Sequence, residues 1–379
     1  MKVEGNFRSS FGSWIGGRWI VDSVKNRQQA KKPYLNYDVK VKSNVFVSFF
    51  KRNPIWIYLI LVAVGLFLRL IGLDERAVHH DESLHGFFAY QLFTGEGYHH
   101  NPLMHGMSLF HLVAAFFFLF GDNEYTLRLP FAVAGSILIL IPFFLRDRLG
   151  HISSLFVSLF LMISPTMLYF SRFARNDILI ALTTFLLILG IWKYIGSGKN
   201  SWLYFIAFFC GIGFTVKENQ YIIAFLIVMY FIVSNWRQFY DWILSRISLS
   251  DFNRSADVAV LITLLTIPLS IAFVSLFQGP LGLTLAARDG LPGIATGAPV
   301  GTGTYVAIAL FIVFLSLSVV FGWFWKKKEF IKMFLIFFVP FILIYTNFGT
   351  HPVGAASGVW QSLGYWLAQH DVSRGSQPW

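Results

Sequence analysis

The sequence predicts an all-α polytopic membrane protein, with about nine transmembrane helices and with interfacial helices in its first extracytoplasmic loop. Its mean hydropathy is +0.61 and only 13% of its residues are charged, whereas about 25% are charged in a soluble domain. Several apolar runs reach the ~20 residues that a helix needs to cross a bilayer. Short basic segments separate these runs, as in the cytoplasmic loops of membrane proteins.

The net charge of +11 would also suit a nucleic-acid-binding protein. The basic residues lie between apolar runs, where the positive-inside rule explains them. We therefore expect contact with membrane lipid and no nucleic acid. The single cysteine, Cys210, excludes an intrachain disulfide and a cysteine-based metal site. The first 50 residues are polar and basic, so we expect the first span to act as an uncleaved signal anchor.

The basic loops also indicate whether the number of spans before them is odd or even, and hence on which side of the membrane each loop lies. If the short apolar run 105–120 does not cross the membrane, the loops with the most Lys and Arg, including Lys326–Lys328, share the cytoplasmic side with the N-terminus. We therefore expect 105–120 to be a second interfacial helix or a re-entrant segment. The predicted spans are 54–73, 127–145, 152–170, 178–195, 202–216, 219–234, 257–277, 303–323 and 330–346.

Three segments follow from this topology. Residues 1–53 form a basic cytoplasmic arm, and residues 54–346 form the transmembrane domain. Residues 347–379 start an extracytoplasmic segment, which we expect to be truncated because the chain ends just after a turn-like Gly-Ser. The loop 278–302 is rich in Gly, Pro and Ala, so we expect it to form a mobile cover on the outer side.

An acidic pair, Asp81 and Glu82, begins an amphipathic stretch in the first outer loop. Leu84, Phe87, Phe88 and Leu92 in this stretch have helical spacing, which predicts an interfacial helix. The helix dipole favours charged carboxylates at this end. Such a pair can act as a general base, bind a metal or form a solvated loop.

A second polar segment lies on the outer side and contains Arg172, Arg175 and Asp177. Two arginines on the outer side oppose the positive-inside rule, so a specific interaction should favour them. Guanidinium groups hold phosphate through charge-assisted hydrogen bonds. The alternative is that both arginines extend to lipid headgroups, while Asn176 or Asp177 caps the next helix.

Lys217 and Glu218 interrupt apolar sequence, and this segment is either a tight hairpin turn or part of a binding site. The first outer loop also carries His80, His85 and His105, but the histidine spacing is not that of a zinc site. We therefore assign no residue to a metal. A divalent cation such as Mg²⁺ or Mn²⁺ on the carboxylates stays an alternative.

The order of several motifs resembles the glycosyltransferase-C superfamily, over residues 54–195 and 340–379. The branch in question holds dolichyl-phosphate-mannose–protein mannosyltransferases and the aminoarabinose transferases of lipid A, and the chain is most similar to the flippase activity-associated protein family. The motifs are His79-His80-Asp81-Glu82-Ser83, Asn101-Pro102-Leu103, Phe120-Gly121-Asp122-Asn123-Glu124-Tyr125-Thr126-Leu127-Arg128-Leu129-Pro130, Ser164-Pro165, Ser171-Arg172 with Arg175 and Asp177, and the run from Tyr365 to Trp379.

The resemblance implies sugar transfer from a polyprenyl-phosphate donor to a protein or glycolipid acceptor on the outer face of the cell membrane. It implies that Asp81 is the catalytic base, and we expect Glu82 to orient the acceptor or the base. It also implies that the second outer loop binds phosphate or metal. Related oligosaccharyltransferases carry a second acidic pair, whereas this chain has Asn176-Asp177, which weighs against an essential metal. The expected phosphate ligands are Arg172, Arg175 and Lys217, and the residues expected near substrate or metal are His80, His85, His105, Asp177 and Glu218.

The alternative function is that of a flippase, or a flippase-associated protein, for lipid-linked sugars. Such a transporter needs ionisable residues near the midplane of several spans. The predicted spans contain almost none apart from Arg69, which favours the transferase.

Overall fold

A computed structural model describes residues 54–285 and 299–368 of the chain. Within those ranges the protein is helical, with no strands and with one isolated antiparallel bridge between Thr284 and Val300. The all-α fold class is therefore confirmed. The basic arm 1–53, most of the predicted cover and the C-terminal residues 369–379 lie outside the described residues.

The described helices are numbered here in chain order. They are α1 Ile55–Leu70, α2 His80–Thr94, α3 Ser108–Phe120, α4 Glu124–Leu149, α5 His151–Ile163, α6 Pro165–Ser171, α7 Asn176–Ser197, α8 Asn200–Val216, α9 Asn219–Ser234, α10 Trp236–Ile243, α11 Arg254–Ser270, α12 Thr302–Tyr345, α13 Val353–Ala356 and α14 Ser362–Ala368. Short 3₁₀ segments span Pro102–Met104, Leu249–Asp251 and Ile271–Phe277, and a π-helical turn spans Ser357–Gln361.

Local sequence explains where the longer helices bend. Pro165 occupies the first position of α6, where its missing N–H is tolerated, and α5 and α6 meet at an angle of 57°. Helices α9 and α10 are bent by 81° around Asn235. Helix α12 loses helical dihedral angles at Lys326 and Lys327. It therefore consists of two helices, as expected from the predicted spans 303–323 and 330–346.

Helices occupy all nine predicted spans within the part of the chain that is described. By length and apolar composition, four helices could cross a membrane: α4, α7, α11 continued to Phe277, and α12. Counting the bent pairs α5–α6 and α9–α10 as single spans raises the number to six, while α1, α3 and α8 are shorter apolar helices. The polytopic class is confirmed, and the count of nine stays a prediction.

Polar side chains gather at both ends of α7. Asp177 and Tyr194 are separated by about 25 Å along this helix, at 1.5 Å per residue. At the Tyr194 end, the carboxylate of Asp257 accepts hydrogen bonds from Tyr194 (2.6 Å) and from the indole of Trp325 (2.7 Å), and it pairs with Lys326 (3.0 Å). The other end carries the candidate site. Asp177 and Lys326 thus lie at opposite ends of the bundle, as the parity argument expects.

Helix α8 lies at the centre of the packing, between α7 and α12. Cys210 on α8 is fully buried. A Cβ atom at the next position, Gly211, would lie 2.8 Å from the carbonyl oxygen of Phe337 on α12. Glycine therefore permits the close approach of these two helices, which fixes the end of α8 beside the candidate site.

Candidate functional site

The start of α2 sets the positions of the two predicted acids. The backbone N–H of Asp81 donates to Nδ1 of His79 (3.1 Å), and the backbone N–H of His79 donates to Oε2 of Glu82 (3.1 Å). This reciprocal arrangement is a capping box with histidine in the place of the usual Ser or Thr. It leaves the side chain of Asp81 partly exposed and turns Glu82 into the protein.

Glu82 is fully buried and accepts hydrogen bonds at both oxygens. Arg128 donates from Nε to Oε1 and from Nη2 to Oε2, each at 3.0 Å, and the backbone N–H of Ala174 donates to Oε1 at 3.0 Å. Arg76 adds an ion pair of 2.8 Å at Oε2. Burial alone would raise the pKa of Glu82, but these donors and the N–H of His79 outweigh it, so the pKa lies below its usual value.

The lowered pKa favours the ionised carboxylate, through which Glu82 joins three segments. It links α2 to α4 through Arg128 and to the segment before α7 through Ala174. Its side chain does not line the cavity that Asp81 lines. In this arrangement Glu82 supports the loop that presents Asp81.

Four charged side chains from three loops form one chain of ion pairs. Oδ2 of Asp81 lies 3.3 Å from Nη1 of Arg175, whose Nε lies 3.5 Å from Oδ2 of Asp177. Oδ1 of Asp177 lies 2.7 Å from Nζ of Lys217. Residues distant in the sequence thus meet at one end of the helices, with two positive and two negative charges in alternation.

Arg172, predicted to bind phosphate, is engaged elsewhere. Its guanidinium donates to the carbonyl oxygens of Leu68 (3.0 Å) and Gly72 (2.8 Å). The carbonyls at the C-terminal end of a helix lack intrahelical partners, so Arg172 satisfies two acceptors at the end of α1. It takes no part in the chain of ion pairs, and we leave it out of the proposed phosphate site.

His105 and Glu218 form a second pair beside these charges. Nδ1 of His105 lies 2.7 Å from Oε2 of Glu218, and both side chains are largely buried. The imidazole stacks on the indole of Trp366 at a centroid distance of 5.2 Å and an interplanar angle of 17°. The segment after the 3₁₀ turn Pro102–Met104 and the turn between α8 and α9 are joined in this way.

A cavity of about 270 Å³ lies between these groups. Of the predicted site residues, Asp81, His85, His105 and Arg175 line it. Three others are not in its lining: Asp177 pairs with Arg175, Glu218 pairs with His105, and Lys217 pairs with Asp177. His80 is exposed and is not in its lining. The lining consists of Asp81, Leu84, His85, Leu103, Met104, His105, Arg175 and Trp366.

The ligand set for a metal ion is poor in the described part of the chain. No group of three or more His, Cys, Asp or Glu side chains there has the geometry to hold one. Asp81 and Asp177 share Arg175 between them. A guanidinium thus occupies the position where a divalent cation would bridge the carboxylates, so these residues do not fit Mg²⁺ or Mn²⁺ as arranged.

Comparison with known proteins gives a family for the central part of the chain. Residues 104–253, less than half of the sequence, match the family described as dolichyl-phosphate-mannose-protein mannosyltransferase. The predicted likeness to the glycosyltransferase-C superfamily is confirmed. This family region runs from the 3₁₀ turn before α3 to the start of α11 and includes Arg128, Arg175 and Lys217.

One solved structure is similar over most of the chain. It is the crystal structure of ArnT from Cupriavidus metallidurans bound to undecaprenyl phosphate, with 15% identity and a TM-score of 0.43. The similarity covers 83% of this chain and 60% of ArnT, so the chain spans less than two thirds of that protein. No match is found among curated proteins.

Two site residues were not identified as such from the sequence. Arg128 is fully buried and also donates to the carbonyl oxygens of Leu73 (2.8 Å) and Arg76 (2.9 Å). An arginine in the apolar sequence of α4 is a usable signal, because a buried guanidinium needs a carboxylate partner. Trp366 lies in the late run that resembles the superfamily, but a tryptophan in an apolar sequence does not indicate by itself that it stacks on His105.

Proposed function

We propose that the protein is a membrane glycosyltransferase that moves a sugar from a polyprenyl-phosphate donor to a hydroxyl group on a protein or glycolipid. The family that matches residues 104–253 is described by a donor and an acceptor of this kind. One observation carries the proposal. A partly exposed carboxylate, Asp81, and a partly exposed guanidinium, Arg175, lie 3.3 Å apart in the wall of one cavity.

These two groups supply what a glycosyl transfer needs at the acceptor and at the leaving group. The carboxylate of Asp81 takes the proton of the acceptor hydroxyl as its oxygen attacks the anomeric carbon. The bond from that carbon to the phosphate oxygen breaks, and the phosphate leaves with the electron pair. Attack from the side opposite the phosphate inverts the anomeric configuration.

Arg175 and Lys217 offset the charge of the leaving phosphate. Each already has a carboxylate neighbour, Asp81 or Asp177. A guanidinium carries five N–H donors in a planar fork, so Arg175 can hold a phosphate oxygen while it keeps a carboxylate in place. Preorganised cations of this kind stabilise charge that develops in the transition state. Glu82 and Arg128 act as positioning residues beneath Asp81.

We place the site on the outer face of the cell membrane, with the N-terminal arm in the cytoplasm. The basis is the parity of the spans under the positive-inside rule. The convergence of Asp81, Arg175 and Lys217 at one end of the helices supports this placement, since the three loops were assigned to one side. The ends of the helices around Lys326 then face the cytoplasm.

A transfer assay tests the proposal. The full chain, purified in detergent, is given polyprenyl-phosphate mannose with a radiolabelled sugar, together with hydroxyl-bearing peptides and glycolipids as acceptors. The expected result is labelled acceptor and free polyprenyl phosphate in equal amounts. In sealed vesicles a flippase would move the intact donor and release no polyprenyl phosphate. Transbilayer movement without release would overturn the proposal in favour of a flippase.

A further inference from the structure

Two histidines that line the cavity, His85 and His105, each use one ring nitrogen in a hydrogen bond within the protein. Nδ1 of His85 lies 2.8 Å from the carbonyl oxygen of Ala174. A carbonyl can only accept, so Nδ1 carries the hydrogen. Burial lowers the pKa of His85, and the ring is neutral. Its other nitrogen, Nε2, is then a hydrogen-bond acceptor, and it has no partner among the described residues.

His105, which also lines the cavity, has a similar arrangement. Its Nδ1 donates to the carboxylate of Glu218 at 2.7 Å, and in the neutral form of such a ring the other nitrogen, Nε2, is an acceptor. No described residue bonds to that nitrogen. Both rings line the cavity. Each is held in place by a hydrogen bond from Nδ1 to the protein, which leaves Nε2 available to a ligand.

The backbone at His105 is shaped to keep the ring there. His105 has a φ of +66°, a backbone conformation that is unfavourable for residues other than glycine. The following residue, Gly106, is pressed against the end of α8, where a Cβ atom would lie 2.1 Å from the carbonyl oxygen of Thr215. The Ser108 hydroxyl lies 2.6 Å from the Thr215 hydroxyl. A surface histidine would need none of these constraints.

The side chains that line the cavity therefore include hydrogen-bond acceptors beside the charged donor Arg175. These acceptors are the carboxylate of Asp81 and, in neutral rings, the Nε2 atoms of His85 and His105. A bare anion suits only the Arg175 side of such a lining, because the acceptors would repel it. A ring with several hydroxyl groups suits all of it, and the aromatic ring of Trp366 adds an apolar wall behind His105.

We propose that His85 and His105 bind the sugar ring of the donor, by accepting hydrogen bonds from two of its hydroxyl groups at Nε2. The cavity is then the sugar subsite, and Arg175 and Lys217 bind the phosphate beside it. This inference rests on the proposed glycosyl transfer, which supplies the sugar-bearing donor. It adds two residues that fix the sugar, separate from the proton transfer assigned to Asp81.

Asparagine substitutions separate this role from a structural one. His105→Asn keeps an N–H donor near the position of Nδ1, within reach of Glu218, and removes the atom at Nε2. His85→Asn does the same toward the Ala174 carbonyl. His99→Asn is the matched control, because His99 is exposed in the same outer loop, stacks on His351 and does not line the cavity.

The measurement compares two ligands on the purified full chain in nanodiscs: bare polyprenyl phosphate and polyprenyl-phosphate mannose. The wild type should bind the mannose-bearing ligand more tightly. Each cavity variant should lose roughly tenfold in affinity for that ligand, the usual value of one hydrogen bond. The affinity for bare polyprenyl phosphate should be unchanged in both variants, and His99→Asn should alter neither affinity.

Three results would overturn the sugar subsite. The wild type could bind both ligands equally, the cavity variants could keep the full preference for mannose, or they could lose affinity for both ligands alike, as a structural role predicts. A transfer assay on the same samples tests the reaction separately. If the wild type showed the expected binding pattern but transferred no sugar, the proposed reaction would fail and the subsite would stand.

Discussion

Arg128 and Glu82 form a bidentate ion pair that is completely buried, although they are 46 residues apart in the sequence. The pair fixes the start of α2 against α4. Because Asp81 immediately precedes Glu82, the position of the proposed base depends on this buried contact. The structure thus separates two adjacent acids into a supporting residue and an exposed one.

Glu82→Gln should destabilise the fold by about 3–5 kcal/mol, because it leaves the Arg128 guanidinium buried without a compensating charge. The measurement is thermal unfolding of the purified protein in detergent. Glu124→Gln is the control, since Glu124 is an exposed acid in the first turn of α4 and should change stability by less than about 0.5 kcal/mol. Equal unfolding midpoints for the two variants would contradict the supporting role of Glu82.

The ion pair between Glu82 and Arg128 should also make the stability of the fold depend on pH. The pKa of Glu82 is lowered from its usual 4.5 in the folded protein. The ionised carboxylate therefore stabilises the fold fully above about pH 4.5, and this contribution is lost as the pH falls through the lower, folded-state pKa. When the unfolding temperature of the wild type is measured from pH 7 downward, it should decrease once the pH is below 4.5. Glu82→Gln should show a smaller drop, and parallel curves would refute this assignment.

Two arginines of one short motif should behave differently. Arg175→Ala and Lys217→Ala should each weaken binding of a polyprenyl-phosphate ligand by about 1.5–3 kcal/mol, the value of a lost hydrogen bond to a charged group. Arg175→Lys should recover only part, because an ammonium lacks the planar fork. Arg172→Ala is the matched comparison, since its guanidinium bonds Leu68 and Gly72.

For Arg172→Ala, the expected result is a lower unfolding temperature with unchanged ligand affinity in the folded fraction. Affinity is measured by titration of the ligand into protein in nanodiscs, after the folded fraction of each variant has been determined. A loss of affinity at Arg172 equal to that at Arg175 would return Arg172 to the phosphate site.

The positions of the helices, and the assignment of three loops to the same side, could be predicted from the sequence. Apolar runs of sufficient length predict the positions of the helices. The positive-inside rule, applied to the basic loops, predicts the side on which each loop lies. The loops that carry Asp81, Arg175 and Lys217 were expected on one side, and these three side chains meet at one end of the helices. These signals are local or additive along the chain, so a single sequence contains them.

The pairing of individual side chains could not be predicted in the same way. Arg172 and Arg175 are the same residue type, three positions apart, yet one contacts α1 and the other Asp81. The difference depends on where α6 ends, where α7 begins and how both pack on α1. Such contacts join residues about 100 positions apart, and no periodic pattern encodes them. Glu82 and Arg128 illustrate the same limit.

The topology gives a prediction that needs no substrate. Position 122, just before α4, should face outward, and position 327, at the break in α12, should face the cytoplasm. Cys210 is replaced first, and single cysteines at 122 and 327 are then treated with an impermeant thiol reagent in intact cells. Labelling is expected at 122 only, with labelling at 327 after permeabilisation as the control for reactivity. Labelling of 327 in intact cells would refute the nine-span arrangement.

Asp81→Asn tests the proposed base. Asparagine has nearly the same shape, so the fold and donor binding should be kept, but its amide cannot take the proton of the acceptor. Turnover should fall by about 10²–10⁴-fold, the usual contribution of a positioned proton transfer. The measurement is the rate of labelled acceptor formation at saturating donor, with unfolding temperature and donor affinity determined on the same sample.

The alternative role for Asp81, that of a metal ligand, predicts a different pattern. A weakened metal site would be partly restored by excess Mn²⁺ or Mg²⁺, since carboxylates are common ligands of both ions, and the wild type would lose activity with a chelator. A base predicts that added cations do not rescue Asp81→Asn and that the chelator has no effect. Because Arg175 already holds Asp81 and Asp177, we expect the second pattern. Near wild-type turnover in Asp81→Asn would remove the proton transfer from Asp81 and leave the ion pair with Arg175 as a purely electrostatic element of the phosphate site.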